Sequence, residues 1–291
     1  MQQATERTLV SFDWAMKHIL RDKANFDVLE GFLSALLNEE IQVVALLESE
    51  ANQEDQTDKQ NRVDLLVKGQ NDVHFIIEVQ YSDESHYLQR LLFGTAKLIT
   101  EHIKIGEDFS KVKKVISISL LYFLLGEDSD ATDDYVYHGK TEFYGLTTGA
   151  RLKMRGESVK RKRASPKANL FPEYYLIEIE RFPDVVTSAL DEWIYFFKHS
   201  EILDEFRAKN IQIAREKLNL MKMSEEERRA YERYWMARAS YQDAFQTAED
   251  TGVKKGSVEI AYRMLTHGEP LDKIKLYTGL NDDEIAQLPQ Q

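Results

Sequence analysis

Asp64 and Glu78 are the residues on which chemistry could rest. They interrupt two apolar, β-branched-rich runs within residues 62–81, RVDLLVKGQNDVHFIIEVQY. The polar stretch Lys68-Gly69-Gln70-Asn71-Asp72 between those runs predicts a β-hairpin. Centred on Asn71, such a hairpin sets positions 64 and 78 directly opposite each other, with Cβ atoms roughly 4.5–5.5 Å apart. Two acids that close, on strands otherwise fit for a core, call for a reason, and the usual one is a cation between them. Asp64 and Glu78 would each give oxygen ligands to Mg²⁺ or Mn²⁺, with the backbone carbonyl of Val79 and waters completing the shell. A cation there lowers the pKa of a bound water and neutralises a phosphoryl transition state. Gln80 shares a strand face with Glu78, where it could orient that water or a phosphate by hydrogen bonds. The plainer alternative is that either acid only pairs with Arg62 or Arg90.

The rest of the chain supplies the elements that must hold these residues. A helical period runs through residues 11–37, with Phe12, Met16, Ile19 and Leu20 on one apolar face. Phe26, Leu29, Phe32, Leu33, Leu36 and Leu37 form a longer second face. Residues 41–47 read as a short edge strand, and the polar residues 48–61, with Asp55 and Asp58, as a solvated loop. After the hairpin a helix is predicted over residues 85–102, with Tyr87, Leu91, Leu98 and Ile99 apolar and His86, Gln89, Arg90 and Lys97 polar. Residues 113–125 form the strongest strand. Its alternation of Ile116, Ile118 and Leu120 with Ser117 and Ser119 gives one face to the core and the other to something small or polar. Further strands are expected at 135–146 and 174–179, an aromatic amphipathic helix at 183–206, and an exposed charged helix at 221–248. That order is a mixed α/β sheet flanked by helices. Residues 251–291 read as a compact helical tail, with one helix at 259–265 and two short pieces either side of Thr278-Gly279-Leu280-Asn281. Its turn is that of a helix-turn-helix or of a small packing or oligomerisation unit. Acids are the only charges on residues 281–291, which favours the packing unit.

Bulk composition narrows the function. The net charge of −12 argues against binding nucleic acid over the whole surface, so any contact with phosphate must be local. One stretch suits that role. Arg151, Lys153, Arg155, Lys160, Arg161, Lys162, Arg163 and Lys167 face a single acid, Glu157. They form either a solvated loop or an element that grips a nucleic-acid backbone. The absence of cysteine excludes disulfides, thiolate zinc sites and cysteine nucleophiles. No apolar run reaches the length of a membrane span and no signal-peptide pattern is present, so a soluble, cytoplasmic protein with no membrane partner is expected. Phosphate-loop, dinucleotide, zincin and serine-hydrolase motifs are missing. The seven histidines are scattered. His74 falls on the face of Glu78 and Gln80, where a surface or satisfied histidine is the plain expectation.

Asp64, followed by Glu78-Val79-Gln80, resembles the PD-(D/E)XK nuclease core in its form with glutamine at the motif lysine. The surroundings are more specific. Asp13-Trp14-Ala15-Met16-Lys17, Gly31-Phe32-Leu33-Ser34-Ala35-Leu36-Leu37, and Ile76-Ile77-Glu78-Val79-Gln80 followed by Arg90 look like the PD-(D/E)XK family transposases, also called recombination-promoting nucleases. The likeness covers residues 10–200. The tail, with Ile260-Ala261-Tyr262-Arg263-Met264-Leu265 and Thr278-Gly279-Leu280, resembles the segment that often follows this core. The resemblance implies a restriction-endonuclease-like α/β fold and a Mg²⁺-dependent endonuclease acting on DNA. Carried over by position, it makes Asp64 and Glu78 metal ligands and puts Gln80 in the lysine's place. Asp13 then stands on the first helix, where related cores often carry an extra acid; as a lone residue it reads as a helix cap. Glutamine lacks the point charge of a lysine ammonium, so Arg90 or Lys97 would have to help, although both also suit structural ion pairs. A catalytically inactive DNA-binding or assembly protein on the same fold is the alternative. The expected organisation is a nuclease-like core at 1–200, a helical linker at 201–250, and a small helical tail at 251–291 able to mediate a homo-oligomer.

Overall fold

The computed structural model describes residues 9–47, 64–82, 86–101, 107–126, 134–152, 170–219 and 223–288. They fall into two compact units, Met1–Met223 and Ser224–Gln291. The first is built on six strands: β1 (Val43–Leu47), β2 (Leu65–Gly69), β3 (His74–Gln80), β4 (Val115–Leu121), β5 (Val136–Lys140) and β6 (Glu173–Glu178). They pair in the order β1-β2-β3-β4-β6-β5. β3, β4 and β6 run parallel, and the remaining neighbours are antiparallel, so the sheet is mixed as expected. Every residue of β4 and the first five of β3 are buried. Strands covered on both faces in this way tolerate near-continuous apolar runs.

One face is covered by α3 (Tyr87–Glu101), whose Leu98 clusters with Leu66, Ile76 and Val115. By strand alternation this is also the face of Glu78 and Gln80. Three further helices, α1 (Phe12–His18), α2 (Phe26–Leu37) and α4 (Ala189–His199), are locked by stacked and edge-on aromatics. Phe197 lies 4.2 Å from Phe12 and 4.9 Å from Phe32 between ring centroids. α2 also approaches the segment leading into α5 (Ile211–Lys217) at Gly31, where a Cβ would collide with the Lys209 carbonyl and lie 2.6 Å from the Trp193 ring.

Three elements differ from the sequence expectation, the first being the aromatic helix read over 183–206, which is confined to Ala189–His199. The strand read over 135–146 stops at Lys140, and an exposed arm follows. Its backbone doubles back through Gly149 (φ +68°), with Leu152 N–H donating to the Phe143 carbonyl at 2.7 Å. Two glycines around Leu146-Thr147-Thr148 favour a turn over a continued ladder. The charged helix read over 221–248 instead continues unbroken as α6 (Glu225–Thr266), 42 residues long. Gly252 and Gly256 sit within it at a cost of about 1 kcal/mol each, too little to break a long helix. Ser224 caps it through a capping box with Glu227. Residues 201–250 are accordingly shared between the two units at Ser224.

In the second unit, α6 packs on α7 (Leu271–Thr278) and α8 (Asp282–Ala286) around Ala261, Ile274, Leu280, Ile285 and Leu288. Gly279, at φ +69°, ends α7. Among the described residues no helix is long and apolar enough to cross a membrane.

Candidate active site

The hairpin pairs Leu65 with Ile77 and Lys68 with His74. Continued by one place, that register sets Asp64 opposite Glu78, as the spacing predicts. The turn that fixes it is left-handed at Asn71 (φ 60°) and Asp72 (φ 61°), and Gly69 N–H donates to the Val73 carbonyl at 2.8 Å. Asp72 is clamped by Lys68 at 2.6 Å and Lys113 at 2.8 Å. The Lys113 hydrogen bond, followed by that of Lys68, holds its carboxyl well below the usual carboxylate range. Register matters because a slip of one residue would send Glu78 to the opposite face.

Asp64 is held by two other elements. Its Oδ2 accepts from the Val79 N–H at 2.8 Å, and its backbone carbonyl accepts from Arg21 Nη2, just beyond α1, at 3.3 Å. Glu78 is 8% exposed. Arg90, in the first turn of α3, brings Nη2 to 4.0 Å from Glu78 Oε2 and donates to Gln80 Oε1 at 2.9 Å. Its guanidinium also lies 5.4 Å from the centre of the Tyr87 ring. Gln80 Nε2 in turn donates to the Ser82 carbonyl at 3.4 Å. Two acids, a carboxamide and a guanidinium therefore share one face at one end of the hairpin. Ser119 of β4 is the register partner of Glu78. Ser117 and Ser119 are buried, and their hydroxyls have no hydrogen-bond partner among the described residues.

The other candidates scatter. Asp13 is buried at 1% exposure, and the residue at the cap of α1 is Ser11, so Asp13 does not take the expected cap position. His74 is buried at the far end of β3, four residues or about 13 Å along the strand from Glu78. Lys97 pairs with Glu101 at 3.8 Å, one turn further along α3. Arg151 stands exposed on the arm, 3.7 Å from Glu142. Lys153, Arg155, Lys160, Arg161, Lys162, Arg163 and Lys167 lie outside the described residues, as do Arg62, Asp55 and Asp58. Arg21 is absent from the sequence reading of the site, because its contact with the Asp64 backbone leaves no mark in residue spacing. Ser119, by contrast, was visible as a small polar residue alternating with Ile118 and Leu120.

Among the described residues no group of three or more acidic, histidine or cysteine side chains could hold a metal ion. The donors on offer are two carboxylates and the Val79 carbonyl, an all-oxygen set with few protein ligands. That set fits Mg²⁺ or Mn²⁺, which keep several waters when bound. No curated protein and no solved structure matches the chain. Residues 10–154 match the family described as PD-(D/E)XK nuclease family transposase. The matched span carries α1 to β5, and with them Asp64, Glu78, Gln80 and Arg90. Nucleases of this kind generally use divalent metal ions, and the family implies a DNA substrate. Through residues 10–154, the chain belongs to the PD-(D/E)XK nuclease family transposases, with a restriction-endonuclease-like α/β core and a C-terminal helical region.

Proposed function

We propose that the chain is a Mg²⁺- or Mn²⁺-dependent DNA endonuclease that hydrolyses phosphodiester bonds. The supporting observation is the placing of Asp64 opposite Glu78 beside the Arg90–Gln80 pair, on one face of a nuclease-family core. A divalent cation, when bound, supplies an acidified water and charge neutralisation at phosphate. Asp64 and Glu78 hold that ion with the Val79 carbonyl. The Val79 N–H fixes the plane of the Asp64 carboxylate, so little reorganisation is needed on loading. Arg90 turns the Gln80 carboxamide oxygen toward itself, so the amide N–H₂, which has two hydrogens and gives one to the Ser82 carbonyl, is the end that would donate to phosphate or water. The guanidinium supplies, from α3, the positive charge that glutamine lacks. Arg151, Lys153, Arg155, Lys160, Arg161, Lys162, Arg163 and Lys167 grip the DNA backbone.

A second reading, a DNA-binding protein whose core does not cut, is favoured by Gln80 itself. Both ends of its carboxamide are already engaged, by Arg90 and by the Ser82 carbonyl. Supercoiled plasmid incubated with the protein in Mg²⁺ or Mn²⁺ separates the two. Metal-dependent nicking that disappears in both Asp64→Ala and Glu78→Ala supports the nuclease. Salt-sensitive binding without cleavage favours the second reading, and cleavage that survives both substitutions removes the site assignment.

A further inference from the structure

α6 exposes apolar side chains in an ordered pattern. Between residues 236 and 250 every described side chain is exposed apart from Arg238, which is half-buried. Tyr241 is 64% exposed, Ala237, Ala244 and Ala248 are exposed as well, and Tyr234 is half-buried. Tyr234, Tyr241 and Ala248 recur every seven residues, and Ala230, Ala237 and Ala244 form a second seven-residue series offset from the first by three. Those are the two core series of a helix pair. Ala261, which packs on α7 and α8, lies about 200° around the helix from Tyr241, so the stripe does not continue the tail's own core.

Size and charge both select one partner and one direction. A parallel copy would set tyrosine against tyrosine and alanine against alanine, leaving layers of unequal width. An antiparallel copy sets Tyr234 against the partner's Ala244 and Ala237 against the partner's Tyr241, large against small in the central layers, and closes each end with Ala230 against the partner's Ala248. Residues 228–238 carry Arg228, Arg229, Arg233 and Arg238 against Glu232. Residues 240–250 carry only Asp243, Glu249 and Asp250 as charges. The same antiparallel alignment lays the basic segment along the partner's acidic one, whereas a parallel alignment lays like on like.

We propose that α6 pairs with α6 of a second copy of this chain, antiparallel and centred near Ala239. The interface is isologous, so one stripe serves both subunits. Light scattering of the full chain at tens of micromolar should give the mass of two chains, and Tyr241→Glu the mass of one, with helix content and the melting of the first unit unchanged. Because the chain has no cysteine, introduced thiols report direction. Ala237→Cys mixed with Tyr241→Cys should give, on mild oxidation, several-fold more mixed disulfide than either variant gives of its own. A one-chain mass for the wild type, a two-chain mass for Tyr241→Glu, or predominantly self-linked Ala237→Cys would each overturn the proposal.

Discussion

Gln80 shows how much of the proposed chemistry turns on a single contact. Its orientation is set by Arg90, which belongs to another element and is ten residues away in sequence. Arg90→Lys keeps the charge but loses the planar fork. It should lower kcat by about 10–100-fold with the KM for DNA nearly unchanged, the signature of a group acting mainly in the transition state. Steady-state cleavage of a labelled duplex measures that split. Asp64→Asn and Glu78→Gln preserve shape while removing charge, and each should reduce metal-dependent cleavage by about 1,000-fold, several kcal/mol of lost metal catalysis. Circular dichroism should show both variants folded. The matched acids were legible in the sequence because a hairpin has a period of two and a recognisable centre. Burial of Asp13 was not, since a first-turn acid looks the same whether it faces water or the core.

Among elements, the strands were legible wherever β-branched residues ran together, as in β3 and β4. β5 was overextended because Tyr and Phe continue beyond Lys140 into the arm, and only its two glycines signal the bend. Two junctions should respond to mutation. Gly31→Ala ought to help an isolated helix by about 1 kcal/mol. Against the Lys209 carbonyl and the Trp193 ring it should instead destabilise by about 1–3 kcal/mol, visible as a lowered midpoint in urea. Lys114 of the segment before β4 pairs with Glu173 of β6 at 2.7 Å, both largely buried. Burial pushes the Glu173 carboxyl up, but the hydrogen bond and charge of Lys114, with His138 behind them, outweigh it and leave it below its ordinary 4.5. A carboxylate held low in the fold stabilises above the unfolded value, and that contribution is lost as pH falls from about 4.5 through the lowered one. Glu173→Gln should cost about 3 kcal/mol at pH 7 and flatten this part of the acid-unfolding curve.

At the scale of the whole molecule, an acidic chain meets DNA only if its basic residues act together. Replacing Lys160, Arg161, Lys162 and Arg163 by glutamine should reduce the slope of log affinity against log salt by about 3–4 if all four contact phosphates. An unchanged slope would make the run a solvated loop. The long α6 was hidden in the sequence by its two glycines, which ordinarily punctuate helices, although a helix of 42 residues absorbs them. The proposed site has a further property: residues 64–90 bring together all its acids, its amide and its guanidinium in one unbroken stretch. A hairpin of this size closes within about 1–10 μs. The parallel junction of β4 with β6 must instead close the long connection from Leu121 to Glu173, at about 2 kcal/mol more loop entropy than the hairpin turn. The order of assembly follows: the acids should meet before the sheet that rigidifies them is complete. A substitution in β6 should therefore delay the native state while leaving the early meeting of Asp64 and Glu78 untouched.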